Sequence, residues 1–412
     1  MHSRPQKTHA NALLLDSPES GDNGNRANQA FDMSLLSAAF TFSWRNLTAN
    51  KARSAAASAG IAFALFLVFL QWGFLDAAKK QVTTVFDFFD YDIAILKNTY
   101  QFLFTTEPFD RVRLIQAKAL PEVEKIFAVN FSLATWEDDI SGLRSSLMLF
   151  GVDPDPDFVA DRHIGRGLQH LRGKRDVIVD AYSHPDFGPL AKGTRAFINN
   201  QEVRIAGHFL LGMFFYTEGS ALVDNNGFSL LTGRSSRQTS FGFIQLNSGA
   251  SPDQTRARLQ HLLPDDVIAI TKTDLIAKEQ EYFIEVKPLG FIFSAGVVIS
   301  FLTAFVILFQ VVATDINTRV REYATLKAMG FGFGFIYGTA LLQVFLIAAV
   351  ALLAATLQAA LLFHYVEQQI HLPLAMTGEL LGIVSGVSLA MVVITGFASL
   401  FDLAKANPAD LY

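Results

Sequence analysis

The sequence predicts a membrane α-helical protein with four transmembrane helices and a large α+β extracytoplasmic domain between helices 1 and 2. Three observations carry this. Four stretches are apolar and long enough to cross a bilayer, and they hold almost no charge. Only 17% of the chain is charged, against about 25% in a soluble domain, while 51% is hydrophobic and 38 residues are Phe. Finally, roughly 205 residues of mixed strand-like and helix-like pattern separate the first apolar stretch from the second, enough for a substantial domain.

Residues 1–33 are polar, with Asp16, Glu19, Asp22, Asn23, Gly24 and Asn25 close together, and are expected to form a disordered cytoplasmic tail. The Leu13–Leu15 run is too short for the apolar region of a signal peptide. Residues 34–53 are expected to form an amphipathic interfacial helix. Leu36, Phe40, Trp44 and Leu47 recur at helical spacing, with Arg45, Asn46, Lys51 and Arg53 beside them. Transmembrane helix 1 is placed at 54–77, because Ser54–Leu75 is uncharged for 22 residues. About 20 apolar residues at a 1.5 Å rise cover a hydrocarbon core of about 30 Å.

The extracytoplasmic domain is placed at 78–287. Glu107–Leu120 reads as a helix closed by Pro121. Arg195–Ile198 and Glu202–Ala206 flank the polar turn Asn199-Asn200-Gln201. Ser251-Pro252-Asp253 carries the signals of a helix start. Strand-like runs recur at Leu147–Val152, Val177–Val179, Phe243–Leu246 and Val267–Ile270. Strands and helices interleave without an internal repeat, which points to α+β.

Helix 2 is expected at 288–314, helix 3 at 335–363 and helix 4 at 379–402, with a short outer loop at 364–378 and a cytoplasmic C-terminus at 403–412. Between helices 2 and 3 lies the charged island Asp315–Gly330, DINTRVREYATLKAMG, within a coupling segment placed at 315–334. Leu289–Thr314 before it has no Asp, Glu, Lys or Arg, and none follows it until Glu367. Basic residues before helix 1, between helices 2 and 3, and at Lys405 fall on one face of a four-span topology. The positive-inside rule makes that face cytoplasmic, with both termini inside.

Several chemistries are excluded. With no cysteine, the chain has neither disulfides nor thiolate metal sites, and a net charge of −5 gives no basic face for nucleic acid. Gly188–Thr194 and Gly167–Lys174 both miss the phosphate-cradling G-x-x-x-x-G-K-[ST] pattern, so fuel from ATP has to come through a separate polypeptide. His163, His170, His184, His208 and His261 have no ligand spacing, and no other metal or catalytic constellation emerges. Asp153-Pro154-Asp155-Pro156-Asp157 lacks Ca²⁺-loop spacing and reads as a rigid loop closing a strand. The apolar runs inside the spans, Ser54–Leu75, Leu289–Thr314, Gly338–Phe363 and Leu380–Phe401, hold no Asp, Glu, Lys, Arg or His, with His364 at a margin, which counts against an ion-coupled carrier or intramembrane hydrolase.

Three stretches carry a family resemblance. Trp44-Arg45-Asn46-Leu47, with Asn50-Lys51 and Arg53-Ser54, is similar to the opening motif of the MacB/FtsX-like permeases, the type VII ABC transporter superfamily. Arg321-Glu322-Tyr323-Ala324-Thr325-Leu326-Lys327-Ala328-Met329-Gly330 resembles the charged segment after helix 2 in the DevC branch. Ala406-Asn407-Pro408-Ala409-Asp410 is similar to the closing A-x-P-A-D of that branch. Phe150-Gly151-Val152-Asp153-Pro154, Ala206-Gly207-His208-Phe209 and Glu279-Gln280 fall where DevC-type permeases have similar residues, so the likeness runs from Leu35 to Tyr412.

The resemblance implies a non-catalytic permease of the bacterial inner membrane that works as a homodimer on two copies of a DevA-like ATPase, which bind the ATP and Mg. It also implies a DevB-like membrane fusion protein docked outside, leading to a TolC-like outer-membrane channel, with glycolipid-like cargo. The coupling segment becomes the ATPase contact, through Arg319, Arg321, Glu322, Tyr323, Leu326, Lys327, Met329 and Gly330. Leu326 and Met329 are expected to enter a groove on the ATPase, and Arg319, Arg321 and Lys327 to meet its acidic rim. The alternatives are an FtsX-like mechanotransmitter acting on a periplasmic partner and a lipoprotein-releasing permease.

Overall fold

The computed structural model describes Thr41, Ser43 and Arg45 and residues 51–405, apart from 213–215 and His371. The expected tail 1–33, Trp44, Asn46, Leu47 and the closing segment 406–410 lie outside the described residues. In chain order the elements run α1 (Lys51–Phe88), β1 (Ile93–Lys97), β2 (Phe109–Asp110), α2 (Val112–Ala117), β3 (Val123–Asp138) and β4 (Arg144–Val152). There follow α3 (Arg162–Leu168), β5 (Asp176–Asp180), β6 (Arg195–Ile198), β7 (Gln201–Phe209), β8 (Gly219–Asp224), α4 (Asn225–Thr232), β9 (Gln238–Thr239) and β10 (Phe241–Leu246). The chain then continues through α5 (Pro252–Leu262), β11 (Val267–Thr271), α6 (Lys272–Glu285), α7 (Pro288–Thr318), α8 (Val320–Ala328), α9 (Phe333–Ile370) and α10 (Gly378–Lys405).

Four of these helices, α1, α7, α9 and α10, are long and apolar enough to span a bilayer, and the α+β domain lies between the first and second. The fold class is therefore the expected one. The helices outrun the hydropathy limits, however. α1 does not stop near Ala77 but continues to Phe88, because Val82, Val85 and Phe86 are buried in the cores of the α+β domain. Hydropathy marks where a helix leaves lipid, not where its backbone bonding ends.

The chain divides into two compact units. A helical unit takes the residues up to Ala62, Val306–Leu352 and Val387 onward, and a sheet-bearing unit takes Phe63–Phe305 and Leu353–Gly386.

In the sheet-bearing unit, β3 is the organising strand. At 16 residues it is long enough to serve two structures. Its first half pairs antiparallel with β10, setting Phe127 opposite Phe243 and Val129 opposite Phe241, and β1 and β11 extend that side. Its second half pairs with β4, and Trp136–Asp138 pair with β6 as well. The order β3-β4-β8-β5-β7-β6 therefore closes back on β3 as a ring of strands. Alternation along each strand separates two cores. Trp136, Leu147, Leu149, Val177, Val179, Ile198, Ile205, Ala221 and Val223 fill the ring. Met148, Phe150, Ile178 and Leu222 point the other way, into a phenylalanine-rich cluster with Phe86, Phe89, Phe158 and Phe243. Ring centroids there are 4.7 Å apart for Phe89 and Phe158 and 4.1 Å for Tyr91 and Phe243.

The hairpin expected around Asn199 and Asn200 is present. Both residues have positive φ, 49° and 64°, as a two-residue type I′ turn requires, and Gln201 already pairs with Ile198. The expected helix over Glu107–Leu120 is corrected. Phe109 and Asp110 instead pair with Thr239 and Gln238, which leaves helical bonding only to Val112–Ala117. The Asp153–Asp157 loop braces the sheet. Asp153 accepts from Ala128 N at 3.1 Å and Asn225 Nδ2 at 2.7 Å, and Lys125 Nζ lies 2.7 Å from Asp157.

Candidate functional site

One residue separates α7 from α8. Helical bonding of α7 ends at Thr318, and Arg319 adopts φ −107°, ψ 6°, its N–H on Ile316 O at 3.0 Å. α8 then runs for nine residues, with Glu322 in its first turn and Lys327 in its last, the sign order that suits the helix dipole. It closes in a Schellman motif. Phe331 N–H donates to Leu326 O and Gly330 N–H to Lys327 O, both at 3.1 Å, and Gly330 takes φ +88°. An L side chain at that φ is strained, so glycine is the residue the turn into α9 asks for.

Arg321, Glu322, Lys327, Met329 and Gly330 are exposed on α8 and its end, with Met329 62% exposed. Tyr323 belongs to the helix, but its side chain lies outside the described residues. Two expectations are corrected. Arg319 does not face outward: it is 6% exposed, its Nε donates to Asp315 Oδ1 at 3.3 Å, and its Nη1 lies 3.7 Å from Glu322 Oε2. Leu326 is 8% exposed and seats α8 on its own unit. A helix this short cannot hold itself in water and has to bury one face.

Sequence reasoning missed the residues beneath α8. Asp315, assigned to the loop, sits in the last turn of α7 and is buried. Its Oδ2 accepts a hydrogen bond from Gln343 Nε2 of α9 at 2.6 Å. Arg53, in the first turn of α1 beside Lys51, donates to the hydroxyl of Thr318, and that hydroxyl donates to Asp315 O at 2.8 Å. Ser43 Oγ donates to Thr339 O of α9 at 3.1 Å, and Thr41, Ser43 and Arg45 are helical. Two signals were legible: the four-residue spacing of Asp315 and Arg319, and a Gln inside an apolar span.

The sheet-bearing unit has its own buried ionisable group. Glu279, fully buried on α6, accepts from the Tyr100 hydroxyl and from Leu103 N at 3.3 Å. Burial dominates over these bonds and over the nearby Lys278 charge, and pushes its carboxyl up to about 7.

The model of the MacB-like periplasmic core domain matches residues 54–262, just over half the chain, and that of the FtsX-like permease C-terminal matches residues 294–408. The chain belongs to the MacB/FtsX-like permeases, the type VII ABC transporter superfamily. A comparison with curated proteins finds no match. Solved structures similar to this permease include the periplasmic region of MacB from Actinobacillus actinomycetemcomitans, at 8% identity and TM-score 0.34, covering 48% of this chain and 95% of that one. The extracellular domain of the noncanonic ABC-type transporter YknZ from Gram-positive bacteria aligns at 13% identity and TM-score 0.32, covering 43% and 99%. A domain of a permease protein from Porphyromonas gingivalis aligns at 13% identity and TM-score 0.30, covering 44% and 92%. Family membership makes the permease a multi-pass membrane component of an ABC transporter, with an ABC ATPase as its partner.

Proposed function

We propose that this permease is the membrane subunit of a DevC-type exporter, worked by a separate DevA-like ATPase that grips α8. The observation that carries the reading is the outward face of α8, where Arg321, Glu322, Lys327 and Met329 stand exposed on a helix seated by Leu326. A charged, partly apolar face of this kind suits a groove with an acidic rim. ATP and Mg belong to the ATPase, since this chain lacks a Walker-type phosphate cradle.

In this reading two copies of the permease form a homodimer over two ATPase subunits in the bacterial inner membrane, with α8 and both termini in the cytoplasm. Closure of the ATPases pushes α8 and tilts the spanning helices. The α+β domain passes that motion to a DevB-like adaptor, which leads to a TolC-like outer-membrane channel. The cargo is a lipid-like or other envelope substrate, for which the adaptor and channel form the route out.

The test is co-expression of the ATPase with Met329→Asp or Glu322→Lys, followed by assay of insertion, ATP hydrolysis and the envelope lipid profile. The expected result is normal insertion with hydrolysis uncoupled from export. Normal export in both variants removes α8 from the mechanism. Capture of a periplasmic hydrolase by the α+β domain, in place of an adaptor, turns the assignment to an FtsX-like mechanotransmitter.

A further inference from the structure

A break between two helices is ordinarily where a structure bends. The break between α7 and α8 contains neither proline nor glycine, and side chains cross it instead. Arg319, the break residue, reaches back to Asp315 at 3.3 Å and forward to Glu322 at 3.7 Å. The second oxygen of Asp315 is held by Gln343 of α9 at 2.6 Å. Thr318, the last residue of α7, accepts from Arg53 of α1. Asp315, Arg319 and Gln343 are 7%, 6% and 1% exposed, so water does not compete for these bonds.

Stability alone does not account for such a cluster. Three apolar side chains of similar volume would pack there without stripping a carboxylate and a guanidinium of water, and buried ion pairs commonly give little net stability. What directional bonds add is a single allowed arrangement of the segments that carry them. We propose that Asp315, Arg319 and Gln343 are positioning residues that lock α7, α8 and α9 into one moving body. A force applied at α8 then reaches the second and third spans without being lost in bending at Arg319. That the force comes from an ATPase rests on the function proposed above; the lock itself does not.

The chain has no cysteine, so introduced thiols can be labelled uniquely. Spin labels at Ala328→Cys on α8 and Phe345→Cys on α9, both exposed positions, report the α8 to α9 distance in the full-length chain, diluted with an excess of unlabelled chain so that only pairs within one protomer are read, in lipid nanodiscs with no ATPase present. The unaltered lock is expected to give one narrow distance distribution. Gln343→Leu, close in volume but without a donor, is expected to broaden it. Gln343→Lys restores a donor to Asp315 and is expected to keep it narrow. If packing were all that mattered, the order would reverse, because Leu fills the site and Lys buries a charge.

Asp315→Asn removes the ion pair at constant volume and is expected to broaden the distribution, which covers the case of a Gln343 variant that does not fold. A distribution left unchanged by both Gln343→Leu and Asp315→Asn overturns the proposal, as does a Gln343→Lys chain as broad as Gln343→Leu. Failure of an ATPase to bind the unaltered chain overturns only the reading of α8 as the gripped element.

Discussion

The hydroxyl of Tyr100 donates to the carboxylate of Glu279 at a point closed to water, the two residues being 2% and 0% exposed. Glu279 belongs to α6, which precedes the second spanning helix, and Tyr100 follows β1. Val85 and Phe86 at the end of α1 share a core cluster with Tyr100, Leu103 and Leu275.

Glu279 gives the permease a pH-dependent stability. Its carboxyl, ordinarily at 4.5, is raised to about 7 by burial. Between those values the folded chain holds a proton that the unfolded chain has released, so stability falls as pH rises through that window and levels off above it. The raised value corresponds to about 3 kcal/mol over the whole window. Thermal unfolding of the full chain in detergent from pH 5 to 8.5 is expected to show the decline, and Glu279→Gln is expected to flatten it. An equal slope in both chains contradicts the assignment.

Gly330 holds the turn from α8 to α9 at φ +88°, and the space a β-carbon would occupy there is open, with no neighbour within 4 Å. Backbone strain, not crowding, is therefore the cost of replacing it. Gly330→Ala is expected to weaken the end of α8 by about 1 kcal/mol, and Gly330→Asn by less. Hydrogen exchange at the amides of Gly330 and Phe331 measures it directly.

Trp136 fills the strand ring, stacked on Phe187 at 5.1 Å and donating from Nε1 to Phe187 O at 3.0 Å. Trp136→Ala is expected to cost about 3–5 kcal/mol. Trp136→Phe keeps most of the packing but orphans the carbonyl, at about 1–3 kcal/mol. Chemical denaturation of the full chain separates the two.

The spans and the α+β class were legible because each follows from a local count: an uncharged apolar run, or a turn such as Asn199-Asn200 between strand-like residues. β3 was not legible. It pairs with three strands, is buried on both faces over Phe127–Phe131, and so shows no clean alternation to read. The exposed residues of α8 stood out as charges between apolar runs, and Gly330 as the stop. Arg319 and Leu326 were misread for one reason. Composition shows that a segment meets water somewhere, but not which side chain turns inward; for Arg319 that is set by Asp315, itself held by Gln343, 28 residues further along the chain than Asp315.

The proposed mechanism stands on α8 being touched by the ATPase, and cross-linking in native membranes tests that contact most directly. With a thiol cross-linker, Met329→Cys is expected to join the permease to a cytoplasmic ABC ATPase, while Leu326→Cys, buried in its own unit, is not. No cross-link from Met329→Cys to any ATPase, or its modification by a membrane-impermeant thiol reagent added from the periplasmic side, would contradict it.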